Sequence, residues 1–81
     1  MGKSPLHYAA IYNRKEIAEL LISHGAYINQ KDYFGRTPIH DAVDKNSKEM
    51  AEVLLSHGAN INEKDNHGET ALNFAAEKIA Q

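Results

Sequence analysis

The chain repeats itself every 33 residues. When Lys3–Gly35 is laid on Arg36–Gly68 without a gap, 18 of 33 positions are identical. Ser4-Pro5-Leu6-His7 falls on Thr37-Pro38-Ile39-His40, and Ser23-His24-Gly25-Ala26 falls on Ser56-His57-Gly58-Ala59. Lys31-Asp32 and Gly35 fall on Lys64-Asp65 and Gly68. A third copy opens at Thr70-Ala71-Leu72-Asn73 and stops at Gln81. A fixed period of this length dictates a stacked array, because one such unit cannot bury its apolar face alone and needs its neighbours to cover it. Arrays of this kind offer extended surfaces rather than enclosed reaction chambers.

Within each unit the pattern predicts two helices and a turn-rich segment. The first helix runs over Pro5–Tyr12 and again over Pro38–Lys45. Ser4 and Thr37 are side chains able to accept a hydrogen bond from a free N–H of the first turn, and Pro5 and Pro38 stand at the first helical position, where a missing N–H costs nothing. Leu6, Ala9 and Ala10 form an apolar stripe, repeated by Ile39, Ala42 and Val43. Asn13 and Asn46 end these helices, as residues that tolerate the left-handed conformation of a tight turn. The second helix spans Lys15–Ser23 and Lys48–Ser56. Its expected buried stripe is Ile17, Leu20 and Leu21, then Met50, Val53 and Leu54, widened by Ala18 and Ala51. Lys15 with Glu19 and Lys48 with Glu52 are expected to pair on the wet side. Gly25 and Gly58 follow as stop signals. Tyr27-Ile28-Asn29 and Asn60-Ile61-Asn62 are too short for independent strands. Asp32–Gly35 and Asp65–Gly68 are expected to be the tips of hairpin-like loops that pair with neighbouring tips. A last helix is expected over Ala71–Ala80.

Thr37-Pro38-Ile39-His40-Asp41-Ala42, Ser4-Pro5-Leu6-His7-Tyr8-Ala9-Ala10 and the tails Leu20–Ala26 and Leu54–Ala59 together resemble the ankyrin repeat family, whose period and T-P-L-H-x-A signature they share. The resemblance runs from Lys3 to Gln81. It implies an all-α solenoid of helix-turn-helix units with short hairpin-like loops, forming one domain over residues 1–81 with units 3–35 and 36–68 and a partial unit 69–81. Departures are Asp41 where the family usually has an apolar residue, Asn13 and Asn46 where glycine is common, and Asn73 and Ala71 in place of histidine and proline. The resemblance implies a non-enzymatic module that binds a protein through its loop tips and concave first-helix face. The residues at those places are Lys3, Tyr8, Ile11 and Tyr12; then Tyr33, Phe34, Arg36, Asp41, Asp44 and Lys45; then Asn66, His67, Glu69, Phe74, Glu77 and Lys78. Tyr33 and Phe34 lead, because aromatics at a wet loop tip have little structural work to do and are enriched at interface hot spots. Some ankyrin repeats are also substrates of an asparaginyl hydroxylase, and Asn29 and Asn62 stand eight residues after Leu21 and Leu54. The plainer expectation is that these asparagines satisfy loop hydrogen bonds.

Composition narrows the chemistry. The formal net charge is −2, so there is no basic field to draw a phosphate backbone, and nucleic acid is not expected as a partner. Cysteine is absent, which removes disulfides and thiolate metal sites. No run approaches the ~20 apolar residues of a membrane span, and no segment reads as a signal peptide, so no membrane is expected and the soluble interior of a cell is the default. His7 and His40, like His24 and His57, stand one unit apart, but zinc needs three or four converging ligands. The resemblance implies instead that His7 and His40 bond to loop backbone and to the Ser or Thr that opens the helix. His24 and His57 close helices where a cation offsets the macrodipole. Ser4, Ser23, Ser47 and Ser56 are accounted for as caps or helix-end residues, the carboxylates recur at unit spacing, and no glycine-rich phosphate loop is present. No catalytic group, cofactor or metal is expected.

Two units and half a third leave apolar surface uncovered: Leu72, Phe74, Ala75, Ala76 and Ile79 at one end and the first unit's outer helix at the other. The competing expectation is therefore a structural unit that oligomerises through Leu72, Phe74, Ala75 and Ile79. The start Met1-Gly2 and the abrupt stop suggest a piece of a longer array or a designed protein.

Overall fold

The computed structural model describes residues 2–80 and contains five helices and no strand among them: α1 (Pro5–Ile11), α2 (Lys15–Ser23), α3 (Pro38–Asp44), α4 (Lys48–Ser56) and α5 (Ala71–Ala80). Gln81, the last residue of the partial unit, lies outside the described residues. α1 and α3 each stop one residue before the expected end, because Tyr12 and Lys45 leave helical geometry and act as caps. The body measures 35 × 24 × 20 Å, longer in one direction as a row of stacked units should be.

The turns form for the reasons the residue types give. Asn13 and Asn46 carry φ of 56° and 58°, the left-handed values that let α1 fold back into α2 and α3 into α4. Ser4 caps α1 with a backbone shape (φ −80°, ψ 166°) that presents its hydroxyl to the first turn, and Pro5 follows at a place where no N–H is needed. Gly25 and Gly58, at φ 92° and 96°, release α2 and α4 into the loops.

α3 is the hub of the packing: it touches α1 on one side, α5 on the other and α4 along its own unit, while α2 meets α4. The core is correspondingly narrow and rich in small residues. Leu6, Ala10, Ala18, Ile39, Ala42, Met50 and Leu54 are sealed from solvent, with Ala9 and Ala71 beside them. Alanine at the helix contacts lets the backbones approach closely. The larger Leu6, Ile39, Met50 and Leu54 fill the gaps, each contributing about 1.5–3 kcal/mol of transfer free energy.

The expected stripe of the second helices holds in α4 and fails in α2. Met50 and Leu54 are completely buried and Val53 half so, whereas Ile17 and Leu20 are 52% and 57% exposed and only Leu21 is half-buried. Met50 and Leu54 are covered because another helix pair stands before them; no described residue stands in that place before Ile17. The expected pairs within the second helices are also replaced. Lys15 reaches across to Glu49 of the next unit at 3.4 Å rather than to Glu19, and no ion pair joins Lys48 to Glu52 among the described residues.

Candidate binding groove

The two loop tips lie side by side and are tied together. In each, an aspartate sits at the base: Asp32 Oδ1 accepts from the N–H groups of Phe34 and Arg36, both at 2.9 Å, and Asp65 Oδ1 accepts from His67 and Glu69, again at 2.9 Å. The backbone closes the same turn, with Asp32 N–H donating to Arg36 O and Asp65 N–H to Glu69 O. Between tips, Asn66 donates from its backbone N–H to Phe34 O and from Nδ2 to Tyr33 O, both at 2.8 Å. Further down, Asn29 Oδ1 accepts from Asn60 N–H and Lys31 Nζ donates to Lys64 O. The expected pairing of tips is thus a ladder of mixed side-chain and backbone bonds, which fixes Tyr33 and Phe34 at their places while leaving the two residues 75% and 52% exposed.

The end of each tip is pinned back to the first helix of its own unit by a histidine. His7 Nδ1 accepts from Ser4 N–H at 3.0 Å and its Nε2 faces Arg36 O at 2.7 Å. His40 repeats this with Thr37 N–H at 3.0 Å and Glu69 O at 2.9 Å. A ring nitrogen against a carbonyl must carry the proton, so Nε2 donates and Nδ1 is left to accept. Asn73 stands in the third equivalent place, and its Oδ1 accepts from Thr70 N–H at 2.9 Å as the imidazoles do. These bonds are the roles the signature histidines were expected to play. His24, at the end of α2, sets Nδ1 2.9 Å from Leu20 O.

Two of the expected contact residues are taken out of reach. Asp41 is 2% exposed, because its carboxylate and that of Asp32 share the Lys3 ammonium: Nζ lies 2.6 Å from Asp32 and 3.0 Å from Asp41. Phe74 is 6% exposed, with the Arg36 guanidinium 4.8 Å above its ring and His40 packed edge-on at 5.2 Å. Both therefore hold units together rather than face a ligand. Lys3 and Arg36 occupy equivalent positions, and each grips the residue 38 places further on. Lys3 is likewise spent on the staple.

Burial pushes the Asp32 carboxyl up, but the Lys3 ammonium and the N–H groups of Arg36 and Phe34 outweigh it and hold the group below its ordinary value. Burial alone would lower Lys3; its bonds to Asp32 and Asp41 raise it on balance. Asp65 is lowered without any lysine, its own burial being overcome by the N–H groups of Glu69 and His67 and by the neighbouring histidines. Glu69 moves the other way, because the Glu77 carboxyl beside it bonds to and repels it. His7, Asp32 and Asp41 bring ligand-type atoms within 4.8 Å of one another. Both His7 nitrogens are engaged, however, and Lys3 already supplies the positive charge, so the cluster is an ion-pair staple.

The remaining expected residues stay accessible. Arg36 separates two hollows: one of about 300 Å³ walled by Lys3, Phe34, Asp65 and His67, the other of about 160 Å³ walled by Asp44, Glu69, Phe74, Glu77 and Lys78. Arg36 itself is only loosely paired, at 3.9 Å from Asp41 and 4.0 Å from Asp44. Asn66 is on the tip but spends both its donors on the neighbouring loop. Ile11 is half-buried and Lys45 exposed, while Tyr8 and Tyr12 line a separate hollow of about 500 Å³ with Pro5, Ala9, Arg14, Ile17 and Leu21. The structure thus gathers Phe34, Arg36, Asp44, His67, Glu69, Glu77 and Lys78 around one groove and leaves Tyr8 and Tyr12 apart from it.

Helical hairpins stacked in register, joined through loop tips and signature histidines, define a solenoid of helix-turn-helix repeats. The family model for ankyrin repeats in many copies matches residues 21–75, and that for the single ankyrin repeat matches residues 1–33. The chain belongs to the ankyrin repeat family, whose members are in general protein–protein interaction modules without enzymatic activity. No curated protein matches it. No helix among the described residues is long and apolar enough to cross a membrane.

Proposed function

We propose that this chain is a non-enzymatic protein-binding module of the soluble cell interior, and that its partner lies along the loop tips and the groove divided by Arg36. One observation carries the reading: Tyr33 and Phe34 are adjacent exposed aromatic residues held on a cross-bonded tip. Their backbone carbonyls are held by Asn66 and the Tyr33 ring rests beside Gly2, so the tip loses little conformational freedom on binding. Rigid aromatics are the residues that dominate binding energy at interfaces. Around them Arg36, Asp44, His67, Glu69, Glu77 and Lys78 form a charged rim that sets which partner is accepted. The domain acts as a single unit over residues 1–81. Affinity capture from cell lysate with the native chain and with the Tyr33→Ala, Phe34→Ala double variant tests this. The native chain retains a partner and the variant loses it while keeping its helical circular dichroism. Equal retention by both chains overturns the proposal.

A further inference from the structure

Asp32 and Asp65 stand one period apart, alike at one carboxylate oxygen and different at the other. Oδ1 of each accepts from two N–H groups of its own loop. Oδ2 of Asp32 also takes the Lys3 ammonium, 2.6 Å away. Oδ2 of Asp65 has no hydrogen-bond or ion-pair partner among the described residues, although Asp65 is only 7% exposed. The residue equivalent to Lys3 is Arg36, and it turns elsewhere: its guanidinium lies 4.8 Å over the Phe74 ring and 3.9 and 4.0 Å from Asp41 and Asp44. Phe74 holds the place that Asp41 holds beside Lys3, so a ring has replaced the second carboxylate and the cation has followed the ring. Asp65 walls the hollow of about 300 Å³ that it shares with Lys3, Phe34, Arg36 and His67. No sealed side-chain oxygen among the described residues lacks a partner, so Oδ2 of Asp65 keeps contact with solvent, and the hollow provides it.

On the reading of the loop tips as a protein-binding surface, we propose that this hollow seats a lysine side chain of the partner. Its ammonium rests on Asp65 Oδ2 as the Lys3 ammonium rests on Asp32, and its carbon stem runs along the exposed Phe34. Charge supports a cation as the occupant. Lys3 and Arg36 border the hollow, but both are already shared among Asp32, Asp41 and Asp44; with Asp65, four carboxylates meet two cations. A carboxylate oxygen this far out of water gains from a charged donor. The site selects an ammonium over a guanidinium. Lys3 shows that a compact cation fits against this kind of loop, whereas a guanidinium spreads its donors across a plane and Arg36 already forms one wall. Phe34, another wall, suits both the apolar stem of a lysine and the charge at its end.

The test is a nuclear magnetic resonance titration of the full chain with the blocked peptide acetyl-Gly-Leu-Lys-Leu-Gly-amide, and with the same peptide carrying norleucine for lysine. The lysine peptide shifts the Asp65 carboxylate carbon and the His67 and Glu69 amides bonded to it, with a dissociation constant on the order of 1 mM. The norleucine peptide, which keeps the stem and lacks the charge, binds about tenfold more weakly or less. Asp65→Asn retains an Oδ1 for the His67 and Glu69 N–H groups, so the variant folds, which circular dichroism verifies. It binds the lysine peptide about tenfold more weakly than the native chain and the norleucine peptide equally. The Asp65 carbon of the native chain gives its answer independently of any variant. Equal binding of the two peptides, an Asp65 carbon that does not move, or an Asp65→Asn chain that binds the lysine peptide as the native chain does overturns the proposal. A chain that fails these tests, yet loses its lysate partner in the Tyr33→Ala, Phe34→Ala variant, still binds protein at its tips and does so without a lysine in the hollow.

Discussion

The first two units are the same sequence at 18 of 33 positions, and they are not in the same situation. Met50 in the second is completely buried; Ile17, in the equivalent place in the first, is 52% exposed. The side chains are of similar size and hydrophobicity, and both lie on nine-residue helices that begin at a lysine and end at a serine. What differs is the neighbour. In a stacked array burial belongs to the interface between units more than to any unit's own pattern. The substitutions run in parallel with this. Tyr8, Tyr12, Tyr27, Tyr33 and Phe34 in the first unit become Asp41, Lys45, Asn60, Asn66 and His67 in the second. The first unit keeps aromatic residues at exposed places; the second, held between neighbours, uses three of those places for an ion pair (Asp41) and for bonds to the adjoining loop (Asn60 and Asn66).

The sharpest way to break this comparison is to truncate the equivalent apolar residues. Met50→Ala removes a sealed side chain and costs about 3 kcal/mol, whereas Ile17→Ala costs about 0.5 kcal/mol. Urea unfolding of the two variants measures the difference, and equal losses would mean that the units do not depend on their neighbours in the way described.

The next effect concerns the staple. Lys3→Met leaves the buried Asp32 carboxylate without a cation and Asp41 with Arg36 alone at 3.9 Å, at a cost of about 2 kcal/mol. The equivalent Arg36 holds its carboxylates only at 3.9 and 4.0 Å, so Arg36→Met costs about 1 kcal/mol, chiefly through its lost contact with Phe74. Thermal melts at one pH rank the two.

Gly35 and Gly68 sharpen the comparison at the backbone. Both have positive φ, 77° and 75°, so alanine is strained at either place by about 1 kcal/mol. A Cβ on Gly68 meets nothing within 4 Å, but one on Gly35 presses on Asn66, 2.8 Å from its backbone nitrogen. Gly35→Ala therefore destabilises by about 1 kcal/mol more than Gly68→Ala, because it must also part the two tips. Denaturant midpoints of the two variants report it.

The smallest effect is in the pH dependence, and it separates Asp32 from Asp65. Both carboxyls are lowered in the folded chain, so each contributes stability that is complete above the unfolded value near 3.8 and is lost as pH falls through the folded value. Lys3 is raised, so its contribution is complete below 10.5 and is lost as pH rises through its folded value. Asp32 depends on Lys3 and Asp65 does not. Stability measured between neutral and strongly alkaline pH therefore falls less in Lys3→Met than in the native chain, while Asp65→Asn leaves the alkaline limb unchanged.

Much of this was legible in the sequence because the period does two jobs. It sets the register of the helices and it supplies their punctuation: Ser4 and Pro5, Asn13 and Asn46, Gly25 and Gly58 each fix a backbone shape locally, and the helices follow to within a residue. The histidine roles were legible through the family signature. Ile17 and Leu20 were misplaced because an apolar residue at helical spacing shows which face is apolar but not whether anything covers it. Asp41 and Phe74 were misplaced for the converse reason. Their positions face the groove in an isolated unit, and only stacking brings Lys3 over the one and Arg36 over the other. A signal was present nonetheless: Lys3 and Asp41 are opposite charges separated by one period and five residues, the same offset as Arg36 and Phe74. Reading pairs at the period plus a small constant finds contacts that reading single units misses.

Amide hydrogen exchange in the dilute native chain, followed residue by residue by nuclear magnetic resonance, tests most directly that each unit is held by its neighbours. Slowest exchange is expected in α3 and around Met50 and Leu54 in α4, with α2 faster than α4 despite their shared sequence, and α5 fastest of all. Protection in α2 equal to that in α4, or in α5 equal to that in α3, would contradict the account.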